Sequence, residues 1–358
     1  MLYNKNVSIQ IAIRLFYRAK DLIFLKHLHK CSIASILLII LCFCGCDAGE
    51  FYSAEFFAMD TVMTVSAYGS SSNVAVRAVQ EEINRLDALL SAQNKKSNVY
   101  RLNQEKTLSV SDDMLSIINR SLEINSLTDG AFDITTQPLS ALWGFYSGLE
   151  KRVPSEDEIK SVLEAVGSEH IKVNGSKVTL DSESSIDLGG IAKGYASQKA
   201  AQIFEERGIK SALISLGGNV HAVGKKPDGS MWNVAVTNPD DTDSSVGTLK
   251  VCDKAVITSG DYQRYFVENG KRYHHIIDAS TGFPAESGLR SVTVVSEDDC
   301  LADALSTALF VMGIDKGAKL CRNNSDMFGA VFIADDGGVY VTQNLSDCFE
   351  SQNGFEVV

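Results

Sequence analysis

The apolar periodicity of this chain changes in blocks instead of alternating element by element, and that order restricts the fold more than any single motif. Residues 60–68 alternate as a strand. Helical spacing then dominates: Val79, Ile83, Leu86 and Leu90 mark one apolar face over 73–92, and Leu115, Ile118 and Leu122 mark another over 112–127, with Gly130 as a stop. Ser155 and Glu158 form a capping box that opens a helix running to Gly167. Asn174-Gly175-Ser176 reads as a hairpin turn, and residues 191–207 as a helix closed by Gly208. From 211 to 296 the pattern becomes short strands, with turns at Pro227-Asp228-Gly229 and Glu268-Asn269-Gly270. A helix over 299–312 stops at Gly313, and a final hairpin turns at 336–338. Runs of helices followed by runs of strands predict an α+β fold with a mixed or antiparallel sheet, not a doubly wound one.

The first 45 residues lie outside that pattern. Ile33–Phe43 is an apolar run of roughly 11 residues behind a basic stretch, too short to span a bilayer but suited to a signal-peptide core. Cys42, Cys44 and Cys46 follow, and Gly45-Cys46 after such a core resembles a bacterial lipobox. The expected division is a lipoprotein signal peptide over 1–45, lipidation of Cys46, a linker over 46–55 and one large domain over 56–358. This predicts export and a lipid anchor on the extracytoplasmic side of the cell membrane, with Asp47 pointing to the inner membrane. The whole chain of 358 residues carries a net charge of −12, and the leader is itself basic. So acidic a domain is a poor partner for nucleic acid, whose phosphates demand basic surface. Cys252, Cys300, Cys321 and Cys348 fall in no zinc-type spacing.

Five segments carry residues suited to chemistry. In Asp187-Leu188-Gly189-Gly190-Ile191-Ala192-Lys193, a strand end meets two glycines and a helix start, where free backbone N–H groups can hold an anion beside Lys193. The same residues could also be a plain helix cap. Ser215-Leu216-Gly217-Gly218-Asn219 breaks a strand with two glycines, as a bulge, a turn or a close ligand approach. Thr258–Phe266 leads a polar turn into an aromatic strand. In His274-His275-Ile276-Ile277-Asp278 the histidines point to opposite faces, so at most one faces a site, and the spacing is wrong for chelating one metal. Asp303 and Thr307 share a helix face, with Ser306 beside them; a carboxylate with hydroxyl oxygens suits a hard cation such as Mg²⁺, or is simply solvated and bonded back to the helix.

Together and in this order, these segments closely resemble the ApbE family of FAD:protein FMN transferases, from about Met59 to the chain end. The resemblance implies a single T-fold-related domain and Mg²⁺-dependent transfer of FMN from FAD to a Ser or Thr hydroxyl of an acceptor flavoprotein, with release of AMP. The acceptors it implies are subunits of membrane redox complexes. It implies flavin or FAD contacts at Met59, Ala131, Phe132, Asp133, Asp187, Lys193 and Ile277. It further implies magnesium ligands at the Gly190 carbonyl, Asp303 and Thr307, with Ser306 adjacent, and His275 as the base. Three positions depart from the pattern. Asp60 replaces the usual glycine, Ala279 replaces a common proline after Ile-Ile-Asp, and Gln93 stands where relatives often carry an aromatic near the flavin, which keeps an FAD pyrophosphatase as an alternative. A non-catalytic flavin-binding lipoprotein is a second alternative.

Overall fold

The computed structural model describes residues 50–358; the expected signal peptide and Cys46 lie outside the described residues. Nine strands lie side by side in the order in which the chain makes them: Phe51–Ala58, Thr61–Tyr68, Ser211–Leu216, Asn219–Gly224, Lys254–Gly260, Leu289–Ser296, Phe328–Ala334, Val339–Val341 and Glu356–Val357. Each neighbouring pair is antiparallel except the last, which is parallel. The α+β expectation with a mixed sheet is met.

Strand alternation sorts the core into two layers. In Phe328–Ala334, Phe328, Ala330 and Phe332 join the main core, whereas Val331 and Ile333 face a second one. In Lys254–Gly260, Ala255 and Ile257 face the first while Val256 faces the second. The first face is covered by helices Ser72–Leu90, Ala192–Glu206 and Asp299–Asn323. The second is covered by a three-stranded sheet of Phe349–Ser351, Asp241–Val251 and Trp232–Asn238. A smaller aromatic core of Trp143, Phe145, Ile159 and Ile277 holds helices Gln137–Leu142 and Glu156–Leu163 to the hairpin Tyr265–Glu268/Lys271–His274. Trp143 Nε1 donates to the Gly282 carbonyl at 2.8 Å inside it.

Several local expectations shift. The residues expected as a linker begin the sheet: Phe51–Ala58 pairs with Thr61–Tyr68 over its full length, so the domain starts at least five residues before 56. Aromatics on its exposed face blur the contrast between faces that marks a strand. The Ser155 capping box forms, but its helix ends at Leu163. Gly313, at φ 75°, breaks the last long helix, and a second segment resumes to Asn323.

Two tight turns and one close contact build the end of the sheet that carries the cleft. Met59 and Asp60 (φ 48° and 60°) close one two-residue hairpin, and Gly217 and Gly218 (φ 62° and 98°) close the next. Both central residues have positive φ, as a type I′ turn requires. Met63 pairs with Leu216, so the two hairpin tips lie together. Helix Ala192–Glu206 crosses helix Asp299–Asn323 at Gly194, where a Cβ would stand 2.3 Å from the Asp299 carbonyl oxygen and 2.8 Å from Asp303 Cβ. Gly194→Ala is therefore expected to force the helices apart and cost about 1–3 kcal/mol, the usual penalty of overpacking, measurable by urea unfolding. At Asp60 the strain runs the other way: Asp60→Gly should raise stability by a few tenths to about 1 kcal/mol in the same assay, because glycine adopts positive φ freely.

Candidate active site

A cleft of about 1090 Å³ opens where the hairpin tips, the start of helix Ala192–Glu206, helix Asp299–Asn323 and the loop at 144–149 converge. Met59, Ala131, Phe132, Asp133, Asp187, Gly190, Lys193, His275, Ile277, Asp303 and Thr307 all line it. Thus eleven residues drawn from distant parts of the sequence meet around one space.

Asp303 is the most constrained of them. It is buried, and its two oxygens each take one hydrogen bond: Gly194 N–H donates to Oδ2 at 2.8 Å, and Asn219 Nδ2 donates to Oδ1 at 2.8 Å. The first bond satisfies a free amide at the start of helix Ala192–Glu206, and a carboxylate there complements the helix dipole. One helical turn earlier, Asp299 accepts from His221 Nδ1 at 2.8 Å. Asn219 and His221 are two apart on one strand and Asp299 and Asp303 are four apart on one helix, so the two pairs form parallel rungs.

Thr307 follows Asp303 on the cleft side, with its hydroxyl 3.2 Å from Ser259 Oγ. A Cβ built on Gly190 would lie 3.1 Å from the Phe132 ring and 3.9 Å from Thr307 Oγ1, so the glycine lets its backbone sit against both. Ser306 is a correction. It is fully buried and does not line the cleft; its hydroxyl donates to the Asp303 carbonyl at 2.8 Å and pairs with Ser259 Oγ at 2.7 Å. The helix turns it about 60° from Asp303, on the side away from Thr307 and toward the sheet. Among the described residues no three His, Cys, Asp or Glu side chains gather as a metal centre. A cation held here would rest on one carboxylate, one hydroxyl and one backbone carbonyl, and phosphate oxygens would complete its shell. That donor set fits Mg²⁺, which takes few protein ligands and keeps substrate oxygens.

Asp187 is fixed from two sides. Tyr146 donates its phenol proton to Oδ2, and Gly189 N–H donates to Oδ1 at 2.7 Å. Burial, then the Asp187 charge, pushes the Tyr146 phenol well above its ordinary range, so it remains a donor. The loop bearing Tyr146 is held at two further points: Arg264 donates to the Phe145 carbonyl at 2.7 Å, and Ser147 N–H donates to Gln93 Oε1 at 3.0 Å. Gln93 thus braces the loop from behind and does not line the cleft. Asp133 also has a local structural role. It sits on the wall, but its carboxylate caps a short 3-10 turn, accepting from Thr135 N at 2.7 Å and Asn125 Nδ2 at 3.1 Å. Sequence reasoning did not name Tyr146, and it reached Asn219 only as the end of the Ser215–Asn219 segment, without a role. Each acquires its role from a partner more than 40 residues away.

The histidines separate as the strand geometry requires. His274 is buried, edge-on to Phe310, with Nε2 on the Ala285 carbonyl at 3.1 Å. His275 opens to the cleft, and its Nδ1 lies 3.2 Å from the Arg264 carbonyl oxygen. A carbonyl can only accept, so Nδ1 carries the proton and Nε2 is left with a free lone pair. Burial, followed by the Arg264 guanidinium, lowers the imidazole to about 3. Arg264 itself follows Asp261, which is clamped by Arg290 Nε at 3.0 Å and Arg272 Nη1 at 3.0 Å.

Lys193 at a helix start, the Asp303–Thr307 face and the neutral His275 imidazole thus line one cleft. Residues 59–332 match the ApbE family, and the chain belongs to that family. It is 32% identical over 319 residues to a FAD:protein FMN transferase of Vibrio cholerae, covering 86% of this chain and 94% of the relative. A FAD:protein FMN transferase of Escherichia coli K12 is 33% identical over 312 residues, covering 80% and 88%. The solved ApbE protein of Thermotoga maritima superposes with a TM-score of 0.78 at 33% identity, covering 84% of this chain and 99% of that one. The flavin transferase ApbE of Vibrio cholerae superposes with a TM-score of 0.76 at 29% identity, covering 84% and 99%.

The state of His275 sets a pH dependence. The unfolded chain takes up this proton near 6.5, the folded protein only near 3. Between those values the unfolded chain binds more protons, so stability is lost as pH falls through that window. Thermal midpoints measured from pH 7 to 4 should fall less steeply for His275→Gln than for the wild type. Bound phosphate charge favours the imidazolium, so the His275 ring followed by NMR should titrate at higher pH with FAD present than without it.

Proposed function

We propose that this protein transfers FMN from FAD to a Ser or Thr hydroxyl of an acceptor protein, releasing AMP. The observation that carries this reading is His275, a neutral imidazole with Nε2 free, in the same cleft as Lys193 and the Asp303–Thr307 face. The acceptor oxygen attacks the FMN phosphorus, the bond from that phosphorus to the AMP oxygen breaks, and the hydroxyl proton passes to His275 Nε2. Lys193, in the first turn of its helix, binds the pyrophosphate from the cleft wall. Mg²⁺, held by Asp303, Thr307 and the Gly190 carbonyl, would supply charge neutralisation to the same phosphates. Asp187, fixed by Tyr146 and Gly189, offers its remaining lone pairs to a donor on the ligand.

A polypeptide acceptor also accounts for a cleft with an open, partly apolar mouth: Phe57, Leu149 and Tyr265 line it and are all exposed. The reading extends to a lipid anchor at Cys46, which would hold the domain at the outer side of the cell membrane, near acceptor subunits of membrane redox complexes.

The test uses the soluble chain starting after Cys46, with FAD, Mg²⁺ and an acceptor protein, reading acceptor mass and free nucleotides. An acceptor heavier by FMN, with AMP released and both lost on chelation, is expected. FMN and AMP with unmodified acceptor would instead assign a pyrophosphatase. Asp303→Ala should lower turnover on the order of a hundredfold or more. His275→Ala should lower kcat by roughly the same factor with FAD still bound; an unchanged rate would remove it as the base.

A further inference from the structure

The two edges of the main sheet are treated differently. One ends in a strand of two residues, Glu356–Val357. The other is Phe51–Ala58, eight residues long, paired to Thr61–Tyr68 without a register shift. Long edges invite pairing with another chain, and proteins usually blunt them with lysine, proline or a bulge. FYSAEFFA contains no lysine, arginine or proline, and Glu55 is its single charge. Among the described residues, nothing pairs with its outer edge.

The parity of that edge follows from the hairpin. Ala58 and Thr61 close a two-residue turn and so exchange both backbone hydrogen bonds. Even-numbered residues therefore bond inward, as Glu50 does by accepting from Gly69 N–H at 2.9 Å. Ser53, Glu55 and Phe57 consequently point their N–H and C=O groups outward. This free edge runs into the active cleft, whose wall includes Phe57. Beside it Phe57 and its cross-strand partner Val62 form an apolar pair, 68% and 55% exposed.

We propose that the outer edge of strand Phe51–Ala58 receives an extended segment of the acceptor protein as an added strand, delivering the acceptor hydroxyl to the cleft. This rests on the transferase reading. Unpaired backbone groups meet unpaired backbone groups at the edge, main-chain bonds supply affinity, and the Phe57–Val62 pair seats an apolar side chain of the acceptor. An added strand lies about 4.8 Å from its neighbour, so a residue opposite Phe57 stands at the cleft mouth.

The test compares wild type with Glu55→Pro, which removes one outward N–H without touching the inward ladder, and with Val62→Lys, which charges the apolar pair. The probe is the acceptor protein labelled by the wild type, with FAD and Mg²⁺ saturating. The acceptor KM should rise about tenfold in each variant, the equivalent of one or two lost hydrogen bonds, while the KM for FAD and the thermal midpoint stay close to wild type. Hydrogen exchange should slow at the Ser53, Glu55 and Phe57 amides when acceptor is added. Unchanged acceptor KM in both variants, with those amides unprotected, would overturn the proposal while leaving the transferase standing. A wild-type dimer that Glu55→Pro dissociates, with the acceptor KM unchanged, would assign the edge to a second copy and equally overturn it. Failure of the wild type to label any acceptor would remove both readings.

Discussion

The Asp303 carboxylate ties together every layer that forms the cleft. It sits on one helix, accepts from the first turn of a second helix through Gly194, and accepts from the sheet through Asn219. A buried carboxylate is costly unless its charge and lone pairs are answered. Here two directed donors answer it while leaving room for further ligands. Gly194 makes this possible, because no side chain fits between the helices at that point. The close helix crossing and the buried carboxylate are therefore one feature: a wider crossing would cost the carboxylate its Gly194 donor, and an apolar residue would leave that amide without its acceptor.

Around that centre the walls differ in how firmly they are held. The hairpin tips are set by backbone geometry and by their shared register. The Asp187 turn is held by hydrogen bonds from both sides. The loop at 144–149 is held by the buried Phe145 ring and by hydrogen bonds at Phe145, Tyr146 and Ser147, while its residues 147–149 are exposed. Gly144 and Gly148 both have positive φ and mark where that loop bends. The exposed part of this wall is therefore held less firmly than the Asp303–Thr307 face.

Much of this was legible in the sequence because the informative signals are local. The capping box at Ser155, the helices ending before Gly130 and Gly208, and the opposite faces of His274 and His275 follow from spacing alone. Gly189-Gly190 before a helix and the Asp303–Thr307 face were visible for the same reason. What stayed hidden depends on partners distant in the chain. Ser306 looked like a ligand beside Asp303, but the third dimension turns it to Ser259. Gly217-Gly218 was consistent with a bulge or a turn, and only the pairing of Leu216 with Asn219 shows a hairpin tip. Strand Phe51–Ala58 escaped notice because its outer face is unusually apolar for an exposed surface.

The sheet's strands lie in chain order, yet its second and third strands, Thr61–Tyr68 and Ser211–Leu216, are separated by an excursion of about 140 residues. Adjacent hairpins can zip up locally, but this one junction needs a long loop to close first. The entropy of that closure grows only slowly with length, so the cost to final stability is modest; the cost to speed is larger. Met59 lies before the excursion, Asp187 and Lys193 near its end, and Asp303 well beyond it. The cleft therefore cannot be complete in a half-folded chain; it assembles only once this long-range junction of the sheet has formed.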